Sequence, residues 1–387
     1  MELKLVHEDE KLLTRKIEVK INNKKIETPI KAFELISSKK TSPFNLLGNF
    51  AKEANGLVEF RLNISQKQLI KIDGDERKAN RFISVVHQQL EHIGKNNVIL
   101  LVPTYKIESP NISTVEIEYL SSLLLSFLRN GIIDVFSTPI VKQDLKIVTP
   151  DFYFNSFVKP LLEYIFSYNK EGIAKYFFGY IPKVSHRQID EIVKFYLKYY
   201  ITNFVVEFNS STPINYGPVL ERLIRSVLLM EKEIGREGTL IHGINVNRGL
   251  GRKGIDKIGA KDVLAFYQGI TSFSFPFKIA IKRLEEPTFR IFEPTDYGYY
   301  KSSRDELRML SEKEKIIKVE NMKDIEKAIN SKRIYVEASV IREKLMENEL
   351  PKYLNSKRGI QTYLKKLQNF SNKIKEKSAS TSLNKFL

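Results

Sequence analysis

Short, densely apolar runs alternate along this chain with longer amphipathic stretches. Residues 57–62, 98–102, 132–136, 176–181, 204–208, 240–246 and 272–275 each read as a strand buried on both faces. An eighth strand falls at 278–281 or at 289–292. Between the strands the apolar period becomes helical, with helices predicted over 76–93, 116–129 and 154–168. The clearest helix begins at Ser185. Gln188 stands three residues on in a capping box, and Ile189, Ile192, Val193, Tyr196 and Leu197 form its buried stripe. Another begins near Pro218 and runs through Leu220, Leu223, Ile224, Val227 and Leu228.

This order predicts an α/β fold, a (β/α)8 TIM-like barrel over residues 55–300. An open doubly wound sheet is the runner-up, and no Gly-x-Gly-x-x-Gly follows the first strand to support it. Residues 1–54 read as a β-hairpin and lead-in, because residues 16–21 and 25–30 alternate about an Asn22-Asn23-Lys24 turn. Residues 301–370 read as a helical appendage, with helices at 321–330, 340–348 and 353–370 and a strand at 333–337. Residues 371–387 read as a flexible basic tail, within a stretch from Asn369 to Thr381 composed like a solvated tether.

Composition narrows the chemistry. The 387 residues contain no cysteine, which excludes disulfides, thiol catalysis and cysteine-ligated zinc. The five histidines make no i, i+3 or i, i+4 pair, so no metal and no cofactor is expected. The absence of Cys and Trp beside abundant Lys, Glu, Ile and Tyr fits a thermophile's residue economy. No apolar run spans a bilayer and the N-terminus has no signal-peptide pattern, so a cytoplasmic protein is expected. The net charge of +17 points to a polyanionic partner, DNA or RNA. Residues 351–387 carry nine Lys or Arg, among them Lys357, Arg358, Lys365 and Lys366, against the single acid Glu376. About half of the excess charge thus lies in the last tenth of the chain.

In a barrel, chemistry gathers at the C-terminal ends of the strands. Those ends offer Pro103, Thr104 and Tyr105; Asp134, Ser137 and Thr138; Tyr180; Glu207 and Asn209; His242, Asn245 and Asn247; and Ser274. Glu207, set in Val205-Val206-Glu207-Phe208, is the leading acid, since a carboxylate in so apolar a strand must be paired, protonated or working. Asp134 has the same ambiguity. The segment after the strand at 240–246 holds Asn245, Asn247, Arg248, Arg252 and Lys253 among three glycines, a composition suited to phosphate or a nucleic-acid backbone. It lacks the Gly-Lys-Ser/Thr ending of a Walker A loop.

Two resemblances follow from short motifs. Ser380, Leu383, Phe386 and Leu387 would share one face of a terminal helical turn, and the octapeptide that they anchor resembles the PIP box that docks proteins on the DNA sliding clamp, proliferating cell nuclear antigen. Ser380 stands where Gln is usual in that motif, and Leu387 where a second aromatic is usual. The element order over about residues 15–280 is similar to the tRNA-guanine transglycosylase superfamily. Lys25-Ile26-Glu27-Thr28-Pro29 looks like its opening hairpin, Phe178-Gly179-Tyr180-Ile181 like one of its strands, and His242-Gly243-Ile244 with Gly269-Ile270-Thr271-Ser272-Phe273 like its approach to the nucleophile. The resemblance places the family's nucleophilic Asp on Ser274, its Asp-Ser-Gly-Gly on Val102-Pro103-Thr104-Tyr105, its base-reading Gln on Pro182 and its Gly-Gly floor on Glu207-Phe208. The family's zinc cysteines have no counterpart. It therefore implies a scaffold kept without base-exchange chemistry.

Three functional readings stand together at this point. The first is a DNA-associated repair or maintenance protein held at the clamp. The second is an RNA-modification protein, either a divergent transglycosylase or a non-catalytic partner of one. The third is a metabolic barrel enzyme that binds a phosphorylated small molecule through Arg248, Arg252 and Lys253.

Overall fold

The computed structural model describes residues 1–9, 11–109, 112–143, 146–167, 170–236, 238–249, 255–276 and 288–380. The three N-terminal strands β1 (Glu2–Glu8), β2 (Arg15–Ile21) and β3 (Lys24–Glu27) form an antiparallel sheet. Next come β4 (Ile30–Lys31), β5 (Phe33–Ile36), β6 (Leu57–Ser65), β7 (Val98–Ile107) and β8 (Val135–Ser137). A short hairpin follows, β9 (Ile140–Gln143) and β10 (Lys146–Ile147), before β11 (Phe177–Ile181), β12 (Asn203–Glu207) and β13 (Ile241–Ile244). The last strands are β14 (Lys257–Gly259), β15 (Ser272–Phe273), β16 (Phe289–Glu293) and β17 (Gly298–Ser302).

All seven expected barrel strands are present and run parallel in the ring order β6, β7, β8, β11, β12, β13, β15. The closing stave corrects the sequence reading. It comes from the lead-in, not from either expected eighth strand. Residues 30–32 pair with β15, where Ile30 N donates to Thr271 O at 3.0 Å and Ala32 N to Phe273 O at 3.0 Å. Phe33–Ile36 then crosses to pair with β6, also in parallel. Residues 289–292 instead join β14 and β17 in a separate antiparallel sheet, and 278–281 lie outside the described residues. The physical reason is that the stretch after Thr28-Pro29 is buried throughout: Ile30, Ala32, Phe33 and Leu35 are core residues, and its two charges, Lys31 and Glu34, are buried as a pair at 2.7 Å.

Helices between the strands bury the stripes their sequences present. Thr114–Arg129 begins on a Ser113–Glu116 capping box. The box at Ser185–Gln188 opens a short 3-10 turn that continues into Ile189–Leu197. Before β15 the chain forms a 3-10 helix, Val263–Gln268. The N-terminal sheet seals the bottom of the barrel. Met1, Val19 and Ile26 face Leu57, Val98, Val135, Phe178 and Leu240 at the strand starts, leaving a cavity of only about 20 Å³.

Beyond Lys301 the expected helices at 321–330 and 340–348 form one helix, Met322–Met346, and the expected strand at 333–337 is part of it. Ile334 and Ala338 continue the buried line of Ile325, Ile329, Ile341 and Leu345, so the helical period overrides the β-branched run. This helix is tied to β16 by side chains. Glu326 accepts from Arg290 N at 2.8 Å, Asn330 Oδ1 accepts from Phe292 N at 2.8 Å, and Asn330 Nδ2 donates to Arg290 O at 2.9 Å. The terminal helix Gln361–Ser380 replaces the tether expected from Asn369, because Phe370, Ser371 and Ile374 are buried. Among the described residues no helix is long and apolar enough to cross a membrane.

Gly179 shows how tightly the staves and helices fit: a Cβ there would lie 2.6 Å from the Tyr196 ring. Tyr196 cannot yield easily, since its hydroxyl bonds Tyr180 O at 2.7 Å and Thr138 Oγ1 at 3.1 Å. Gly179→Ala is therefore expected to destabilise the protein by about 1–3 kcal/mol, measured by denaturant unfolding. An unchanged midpoint would contradict this packing.

Candidate functional site

The barrel lumen holds a continuous chain of polar side chains. On β6, Glu59 and Arg61 are two residues apart and so project to one face of the strand. His242 on β13 reaches Glu59 although the two strands are not neighbours in the ring, so this contact crosses the lumen. His242 Nε2 lies 2.6 Å from Glu59 Oε2, and His242 Nδ1 lies 2.8 Å from Ser272 Oγ. Arg61 pairs with the other Glu59 oxygen through Nε. Its Nη1 donates to Asn245 Oδ1 at 3.1 Å and its Nη2 to Ser274 Oγ at 3.0 Å. Asn245 Nδ2 in turn donates to Glu207 Oε1 at 2.9 Å. Ser272, His242, Glu59, Arg61, Ser274, Asn245 and Glu207 thus form one network from mid-barrel to the C-terminal mouth.

The two carboxyls of this network are shifted in opposite directions. Burial alone would push Glu59 up, but the Arg61 guanidinium and hydrogen bonds from His242 and Ser274 outweigh it and hold the carboxyl well below its usual range. Arg61 and His242 thus favour the ionised form of Glu59. At Glu207 burial wins, and the bonds from Asn245 and from Asn209 N at 2.6 Å offset it only in part, so this carboxyl is pushed up. Two tyrosines with buried hydroxyls stand near Glu207: the Tyr180 hydroxyl interacts with its carboxyl, the Tyr216 hydroxyl has no hydrogen-bond partner among the described residues, and burial, then the Glu207 charge, pushes both phenols up. Lys142, from β9, faces the same site. Burial lowers its ammonium, and attraction to Glu207 opposes the shift.

This geometry gives Ser274 no activation as a nucleophile. Its oxygen accepts from Arg61, and Glu59, to which its hydroxyl is bonded, is already engaged by Arg61 and His242. Glu207 is the carboxyl of the network whose burial raises its affinity for a proton. Among the described residues no group of three or more His, Asp or Glu is placed to hold a metal ion.

Other expected site residues fall elsewhere. Asp134 precedes β8 and lies at the bottom of the barrel, not at the mouth. It binds Lys24 of the N-terminal sheet at 2.6 Å and accepts from Ile99 N at 2.7 Å, a structural clasp. Asn247 folds back on its own loop, accepting from Gly249 N at 3.0 Å. Arg248 is committed to the appendage. It bonds Glu326 Oε1 at 2.7 Å and Arg290 O at 3.2 Å, and lies over the Tyr299 ring. Lys357 is buried, donating to Pro294 O at 2.7 Å and packing on Tyr353 and Tyr297. Arg252 and Lys253 lie outside the described residues, as do Leu383, Phe386 and Leu387 and the side chain of Ser380.

The remaining cations are displayed outward. The terminal helix buries Leu367, Phe370 and Ile374, against the helix Gly217–Ile234 and the 3-10 helix Val263–Gln268. Its opposite face exposes Lys365, Lys366 and Lys373, and Arg358 lies exposed just before it. This is a two-faced helix with an apolar seat and a cationic outer surface.

Glu59, Arg61 and Lys142 were missed from sequence. A signal for the first two was present, since Val58-Glu59-Phe60-Arg61 puts two charges on alternate positions of a strand that otherwise reads as fully buried. Lys142 left none, because only the fold brings β9 to Glu207. No protein-family profile and no characterised protein sequence matches this chain.

Two outcomes are expected. Arg61→Met leaves Glu59 buried beside an apolar group and should cost about 3–5 kcal/mol in denaturant unfolding; a loss under about 1 kcal/mol would contradict the network. Glu207, with its carboxyl raised in the folded state, binds its proton more tightly folded than unfolded. Its contribution is complete below the ordinary glutamate range and is lost as pH rises through the folded value. Glu207→Gln, which cannot ionise, should therefore raise the thermal midpoint at neutral pH and leave it unchanged near about pH 3. Equal midpoints at neutral pH would contradict this.

Proposed function

We propose that this protein is a nucleic-acid-binding barrel, DNA-associated and held at the sliding clamp by its last residues, and that it performs no covalent base exchange. The single observation that carries the reading is the terminal helix, whose apolar side is seated on the barrel while Arg358, Lys365, Lys366 and Lys373 face solvent. An exposed basic helix on a chain of net charge +17 is the electrostatic footprint of a phosphate backbone partner. The lumen supports the negative half of the reading, because Ser274 stands where the resemblance puts a nucleophilic carboxylate and its hydroxyl is held between Arg61 and Glu59.

The clamp reading rests on Leu383, Phe386 and Leu387. Each apolar side chain buried in a pocket contributes about 1.5–3 kcal/mol before ordering costs. That suits weak docking that raises local concentration at the DNA. A second reading, an RNA-modification enzyme, draws on Glu207, a buried carboxyl with raised affinity for its proton at the barrel mouth.

Fluorescence anisotropy with labelled duplex DNA over a salt series tests the main reading. Lys365→Glu with Lys366→Glu should weaken binding by at least about tenfold and reduce the log–log salt slope by about 2. Binding indifferent to the double substitution would reject the basic helix as the interface. A chain ending at Ala379 should lose the purified clamp while keeping DNA, and equal clamp binding by both forms would reject the tail's role. Tighter binding of tRNA than duplex DNA at matched salt, with incorporation of labelled guanine, would favour the RNA reading.

A further inference from the structure

A cavity of about 520 Å³ lies outside the lumen. It is a groove at the C-terminal rim, between β6 and the two helices that follow it, Gln66–Ile72 and Glu76–Leu90. Leu62, Ile72, Phe82 and Val86 form an apolar floor, and Val85, 44% exposed, stands at its edge. Three cations line it, Lys71, Lys78 and Arg81, and no acid does. Lys78 is paired with Asp75 at 2.8 Å; Lys71 and Arg81 enter no ion pair among the described residues. Three amides complete the lining, Asn63, Gln68 and Gln89, with the hydroxyls of Ser37 and Ser38. Gln89 Oε1 is buried with no hydrogen-bond partner among the described residues.

We propose that this groove binds a nucleoside phosphate. Its volume suits one small ligand. The uncompensated cations select an anion, and an arginine and a lysine at one rim suit phosphate oxygens. An aliphatic anion would also satisfy floor and charge, but it would bury the amides without partners, at a cost of about 1–3 kcal/mol each. A nucleobase has an apolar face for Phe82 and an edge of donors and acceptors for Asn63, Gln68 and Gln89. The groove is also separate from the basic helix. β6 lies across the ring from β12 and β13, whose connecting helix Gly217–Ile234 seats that helix. The ligand is thus either a free nucleotide or an unpaired nucleotide of a strand, and the proposal does not require the duplex interface.

Titration of the full-length protein with AMP, with a fluorescent ten-nucleotide single strand and with duplex DNA separates these sources. Val85→Trp fills the groove and leaves its charges in place, while Lys71→Glu with Arg81→Glu reverses the charge and leaves the space. Each variant should weaken AMP binding at least tenfold. A matching loss for the single strand identifies a nucleotide within a strand, and retained single-strand binding identifies a free nucleotide. Duplex binding should be unchanged in both variants. AMP binding that is absent from the wild type, or that survives both variants, overturns the proposal. So does dodecyl phosphate binding at the groove where AMP does not. Loss of duplex binding on Lys365→Glu/Lys366→Glu bears only on the basic helix, so the two readings fail separately.

Discussion

A glutamate with no exposure to solvent governs this barrel. Glu59 sits inside a ring of apolar staves, where an unpaired carboxylate would cost several kcal/mol. Its charge is tolerable only because Arg61 faces it on the same strand and His242 reaches it from across the lumen. The remaining polar groups follow from that requirement. Arg61 has donors left over, which Ser274 and Asn245 accept; Asn245 then has an amide to give, which Glu207 accepts. Removing any member leaves a buried group unsatisfied.

The same constraint separates scaffold from function. A lumen whose hydrogen bonds are spent on one another offers little to a substrate deep in the barrel. Among the buried polar groups without partners, the Tyr216 hydroxyl lies near Glu207 and Gln89 Oε1 lines the rim groove. Uncommitted charge lies farther out still, on the terminal helix.

The staves were legible in the sequence because strands covered on both faces must be largely apolar. The closing stave was misplaced because chain order suggested that the eighth strand should follow the seventh, whereas residues 30–36 precede the first. The residues 333–337 misled because a short β-branched run looks the same in either state until its helical neighbours are counted. Charges were the least readable part. Arg248 looks free in a glycine-rich loop, yet its partner Glu326 lies far along the chain. Asp134 sits next to a strand, but nothing local says which end of the barrel that strand start occupies. Glu207 was legible, since its isolation among Val205, Val206 and Phe208 already demanded a special environment.

The central claim is that nucleic acid engages the outer cationic helix while the luminal network remains structural. Photo-crosslinking of bound duplex DNA, with the linked residues mapped by mass spectrometry, tests it most directly. The account predicts crosslinks on the exposed face of Gln361–Ser380, at Lys365, Lys366 and Lys373, and none at Tyr180, Glu207 or Asn245. Crosslinks concentrated at those mouth residues, with the terminal helix unmarked, would contradict it.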